Sequence, residues 1–104
     1  MDKKKILIID DESDIANNIK AILEDENYTA SIANDSTSAL SLINSNEYNL
    51  IILDVWLDNS ELDGIGILKK LRELNSTPVI IISGHGNIDM AVKAIKDGAN
   101  EFIE

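Results

Sequence analysis

The sequence predicts an α/β domain: a doubly wound, five-stranded parallel sheet with helices on both faces. Three observations predict it. Short aliphatic runs bounded by polar residues, such as Leu50 to Leu53 and Val79 to Ile82, read as strands buried on both faces. Stretches between such runs carry apolar residues at helical spacing. The two patterns alternate, and parallel strands joined by crossover helices are what such alternation calls for. Right-handed crossovers narrow the topologies, and the order 2-1-3-4-5 suits a chain of 104 residues.

Lys5 to Ile9 is the first strand, and it runs straight into Asp10-Asp11-Glu12. Ser13 or Asp14 can cap a first helix with Ile15, Ile19, Ile22 and Leu23 inward. Tyr28 to Ala33 is a weaker second strand. Asp35-Ser36-Thr37-Ser38 opens a second helix, with Ala39, Leu40 and Ile43 on its inner face. After the third strand, Leu50 to Leu53, a loop from Val55 to Leu62 is rich in Asp, Asn and Ser. Asp63-Gly64 begins a third helix carrying Ile67, Leu68, Leu71 and Leu74. Pro78 stands at the mouth of the fourth strand, where a missing N–H does least harm. Asn87 can cap a fourth helix through Lys96, with Ile88, Ala91, Val92 and Ile95 inward and Gly98 as its stop. Glu101 to Ile103 reads as a fifth strand.

Composition excludes several classes. Hydrophobic content of 44% and charged content of 27% belong to a globular chain, not a disordered one. With no cysteine, neither a disulfide frame nor a thiolate metal site is open to it. Lys3-Lys4-Lys5 is followed by an apolar run, Ile6 to Ile9, too short for a signal peptide, and no later run is long enough to span a bilayer. A cytoplasmic location is therefore expected. The net charge of −10 repels phosphate backbones and anionic lipid, so neither direct nucleic-acid binding nor membrane binding is expected of this domain.

The expected strand order makes strands one, three and four neighbours. Their C-terminal ends carry Asp10-Asp11, Asp54 and Ser83, in the crevice where open α/β sheets bind ligands. Crowded carboxylates repel, and one takes up a proton unless a cation neutralises them. An all-oxygen cluster of a few carboxylates plus waters suits Mg²⁺. The stretch from Asp58 to Lys69 lacks the closing glutamate of a calcium loop. Aspartate can attack phosphorus, Mg²⁺ neutralises the transferring oxygens, and the Ser83 hydroxyl can donate to one of them. Capping of the first helix by Asp10, Asp11 and Glu12 would account for one aspartate, but not for Asp54 and Ser83 at two further strand ends. No serine stands in a base-and-orienter arrangement, Gly64 and Gly66 fall inside a helix, and His85 reads as an exposed loop residue.

Asp10-Asp11, Asp54, Asp63-Gly64, Ser83 and Phe102 together resemble the receiver domain of two-component response regulators, with its flavodoxin-like (CheY-like) fold. The resemblance runs from Lys4 to the last residue. DVWLDNSELDG, IISGHGN and KDGANEFIE narrow it to NtrX-type regulators of nitrogen response, in which an AAA+ module and a DNA-binding helix-turn-helix follow the receiver. The resemblance implies that Asp54 accepts phosphate from a sensor histidine kinase (NtrY-like), in a phosphorelay that controls transcription. It implies that Asp10, Asp11 and Asp54 hold Mg²⁺ with the Trp56 backbone carbonyl. It also implies that Ser83 and Phe102 form a switch pair, and that the domain assists its own phosphorylation and dephosphorylation. Trp56 has two readings, a loop aromatic packed on the next helix or a shield over the phosphoryl group.

Two features depart from the family pattern. Asp58 stands where most receivers have a proline, in a loop lengthened as in the NtrX group. The chain also stops at Glu104, before the Lys-Pro and fifth helix of receivers, so the phosphate-binding lysine has no counterpart here. Residues 1–104 are therefore expected to be a C-terminally truncated receiver. Loss of cover over Ile6, Ile8 and Ile103 is expected to lower its stability and favour a homodimer. Two rivals remain: a receiver-like interaction module acting without phosphorylation, and a haloacid-dehalogenase-type phosphatase. The latter needs a second aspartate where Trp56 stands.

Overall fold

Aliphatic runs too short for helices find their backbone partners in one another, and here they form a parallel sheet. The computed structural model describes residues 4–54, 64–74, 76–82 and 101–103, the last three and residues 64–65 in backbone only. The elements are β1 (Lys5–Ile9), α1 (Ser13–Asp25), β2 (Thr29–Ala33), α2 (Ser36–Ser45), β3 (Leu50–Asp54), α3 (Gly64–Leu74), β4 (Val79–Ile82) and β5 (Glu101–Ile103). All strand pairs are parallel, in the order β2-β1-β3-β4-β5, as the sequence predicts. The expected fourth helix, Asn87 to Lys96, lies outside the described residues.

Register divides the apolar residues between two faces. Ile9 stands opposite Leu53, and Leu53 opposite Ile81. Residues in register share a face, so Leu7, Ile9, Ile51, Leu53, Val79 and Ile81 line one side. There they are buried against Ala39 and Ile43 of α2 and Ile67, Leu68 and Leu71 of α3. Each fully buried leucine or isoleucine contributes about 1.5–3 kcal/mol relative to exposure. On the other face Ile8 and Ala30 pack with Ala16 of α1, beside the half-buried Ile19, Leu23 and Ile32.

Several local expectations are corrected. The inward seam of α1 is Ala16, Ile19 and Leu23, while Ile15 and Ile22 are 43% and 64% exposed. At 100° per residue the seam passes one position beside them. The N-cap of α1 is Glu12, with no side-chain cap bond, and Ser13 and Asp14 lie in its first turn. At the other end Asn27 takes a left-handed φ of 72°, which asparagine tolerates well. The N–H of Asn27 donates to Glu24 O and that of Tyr28 to Leu23 O (both 3.0 Å), so β2 begins at Thr29 and not at Tyr28. Leu74, in the last turn of α3, is 52% exposed. Ile6 and Ile8 are buried, and the thinly covered residues on that face are Leu50, Ile52, Ile80 and Ile82, all half-buried. The Ile103 side chain lies outside the description.

Asn49 fixes the start of the central pair. Its N–H donates to Lys5 O and its Oδ1 accepts from Lys5 N–H, both at 2.8 Å. No helix among the described residues is long and apolar enough to cross a membrane.

Candidate functional site

The site begins with where two strands end. Ile9 faces Leu53 in register, so the next residue of each chain segment, Asp10 and Asp54, falls on the same rung. Neither carboxylate has a place in an apolar face, and both stand at the C-terminal edge of the sheet. Asp54 is the last residue of β3 and half-buried. Asp10 is only 2% exposed. Oxygens of Asp10, Asp11 and Asp54 lie within 4.8 Å of one another.

Local hydrogen bonds hold Asp10 in place. Its N–H donates to Ala33 O at 3.0 Å. Its Oδ1 accepts the Glu12 N–H at 2.9 Å, a turn that swings the chain toward α1. Its backbone carbonyl accepts from Asn34 Nδ2 at 2.9 Å. Burial raises the Asp10 carboxyl above the ordinary carboxylate range, and repulsion from Asp11 adds to this. The Glu12 N–H and a hydrogen bond with Asp54 act in the opposite sense without cancelling the rise. The buried Asp10 anion is therefore unfavourable by itself, and a cation is what would offset it. Hard oxygen donors at this spacing fit a divalent ion such as Mg²⁺.

Of the residues expected at the site, Asp10, Asp11 and Asp54 are brought together. Phe102 is on β5, its backbone opposite Ile81. Trp56 and Ser83 lie outside the described residues. Asn34 escapes sequence reasoning; its one signal is a polar residue directly after a strand, which any loop also shows. A shallow cleft of about 520 Å³, lined by Ile43, Asn44, Tyr48, Leu74 and Thr77 among others, gathers no group of carboxylates.

The comparisons agree with this geometry. The family model described as response regulator receiver domain matches residues 6–104. The nitrogen assimilation regulatory protein NtrX of Azorhizobium caulinodans is 53% identical over 100 residues, which cover 95% of this chain and 22% of that protein. The chain thus spans about a fifth of the length of this relative. The receiver domain of NtrX from Brucella abortus is 46% identical with a TM-score of 0.90, over 95% of this chain and 83% of that one. A response regulator from Burkholderia pseudomallei, solved with a phosphorylated aspartic acid, calcium ion and citrate, is 28% identical with a TM-score of 0.91, over 97% of this chain and 59% of that one. A carboxylate cluster at the strand ends of a 2-1-3-4-5 sheet, matched along nearly its whole length, makes this chain a member of the response regulator receiver domain family, of the NtrX type.

Proposed function

We propose that Asp54 accepts a phosphoryl group from the phosphohistidine of a sensor kinase of the NtrY-like kind. A carboxylate oxygen of Asp54 forms the new P–O bond as the P–N bond of the donor breaks, and its electron pair returns to the imidazole, which takes up a proton. The single observation that carries this reading is the meeting of Asp10, Asp11 and Asp54 at one sheet edge. Asp10, Asp11 and Asp54, with the Trp56 backbone carbonyl, would hold Mg²⁺. When bound it supplies positive charge beside the transferring phosphoryl oxygens. Ser83 would donate to one of those oxygens, with Phe102 following as the switch aromatic. The domain would thereby assist its own phosphorylation and dephosphorylation.

Residues 1–104 would serve as the receiver of a longer cytoplasmic regulator with AAA+ and DNA-binding output modules, consistent with the share of the Azorhizobium protein that the chain covers. The charge of −10 supports a reading in which those modules, and not this domain, would contact DNA. The test is incubation with a small phosphodonor and Mg²⁺, followed by mass spectrometry. The chain should gain one phosphoryl group, and Asp54→Asn should gain none. Uptake by the Asn variant would move the acceptor elsewhere. No uptake by the parent would favour an interaction module that works without phosphorylation.

A further inference from the structure

β2 ends at Ala33, and the chain turns away so that Asp35 can cap α2. In a parallel ladder a residue's N–H goes to one carbonyl of the neighbouring strand, and its C=O receives the N–H two residues further on. Asp10 keeps the first half of that rule by donating to Ala33 O. The second half is made by a side chain, since Asn34 Nδ2 donates to Asp10 O. A carbonyl oxygen can only accept, so it is the nitrogen of the amide that faces it. An exposed side chain thus supplies the rung that a continuing strand would have drawn from its backbone.

The carbonyl of Asp10 and the N–H of Asp11 belong to one rigid peptide plane. Holding that oxygen sets the tilt of the plane and the departure of the Asp11 Cα. Asp11 then has to bring its carboxylate within 4.8 Å of Asp10 and Asp54. We infer that Asn34 is a positioning residue of the acidic cluster: by holding Asp10 O it aims Asp11 toward Asp10 and Asp54, the residues that would hold a divalent cation. The inference rests on the reading of this cluster as a Mg²⁺ site.

The rival role for Asn34 is general closure of the β2–α2 junction. Two neighbouring substitutions separate the roles. Asp35 accepts the Ser38 N–H at 2.7 Å and caps α2 without a bond to Asp10. Calorimetric Mg²⁺ titration of the parent, Asn34→Ala, Asn34→Gln and Asp35→Ala, well below every unfolding midpoint, is paired with melts of the metal-free proteins. Asn34→Ala should weaken Mg²⁺ binding about threefold to tenfold, the range of one lost hydrogen bond, with little change in midpoint. Asn34→Gln keeps the amide donor and should bind more tightly than Asn34→Ala. Asp35→Ala should show the converse pattern, a lower midpoint with affinity within about twofold of the parent. The inference fails if Asn34→Ala binds Mg²⁺ like the parent, if Gln restores nothing, or if Asp35→Ala loses affinity equally. A parent that binds no Mg²⁺ at all would instead remove the reading of the cluster itself.

Discussion

Asp10 is a residue whose ionisation works against the fold that contains it. Its carboxyl is raised by burial and by Asp11. Between the ordinary carboxylate value and its own raised value the folded chain holds more protons than the unfolded one. Stability contributed by this group therefore falls as pH rises through that window. Asp10→Asn should raise the melting midpoint of the metal-free protein near neutral pH by a few degrees and flatten its acid-side slope. A lower midpoint for the Asn variant would show that the carboxylate is better satisfied than its burial implies. Asp11 is half-buried, and in the proposed Mg²⁺ site its share would be a matter of charge on a ligand. Asp11→Asn should weaken Mg²⁺ on the order of tenfold, read by fluorescence of Trp56, the chain's one tryptophan. Unchanged affinity would take Asp11 out of the ligand set.

At the scale of one helix, α3 separates two leucines that the sequence spacing treats alike. Leu68 is fully buried, whereas Leu74 is 52% exposed. Leu68→Ala should cost roughly 2–5 kcal/mol in denaturant unfolding, and Leu74→Ala within about 0.5 kcal/mol. Comparable losses would mean that the last turn of α3 carries more packing than its exposure indicates. Sequence spacing finds such helices but blurs their seams. In α1 the fully buried member of the seam is Ala16, whose small side chain gives little periodic signal, while the larger Ile15 and Ile22 dominate the pattern from the flanks. The strands were more legible. Ile6 to Ile9 and Leu50 to Leu53 end abruptly in aspartates, so their edges and the acidic cluster could be read together. Asn34 could not, because its role depends on a partner 24 residues away.

For the molecule as a whole, the cluster joins residues 10 and 11 to residue 54, which only the folded sheet brings together. A ligand held only by the native state stabilises it by mass action, by about 2.7 kcal/mol at a hundredfold excess over Kd. The melting midpoint should rise with the logarithm of Mg²⁺ concentration, and Asp11→Asn should reduce that dependence. A midpoint indifferent to Mg²⁺ but raised by monovalent salt would point to relief of the net charge of −10 instead. The order β2-β1-β3-β4-β5 was legible because alternating strand and helix patterns leave few right-handed solutions. The coverage of its faces was not. Burial of Ile6 and Ile8 beside half-buried Ile52 and Ile80 reflects where α1 lies over the sheet, which no local pattern states.

The pairing of Ile9 with Leu53 carries one more meaning. Side chains alternate along β3, so a slip of one residue would turn Ile51 and Leu53 out of the main core and press Leu50, Ile52 and Asp54 into it. The mispaired chain would bury a charge in oil and separate it from its rung-mate. Proofreading of the aspartate's address is thus delegated to the greasy letters around it. A chain whose strands are mis-set spells no site to write on.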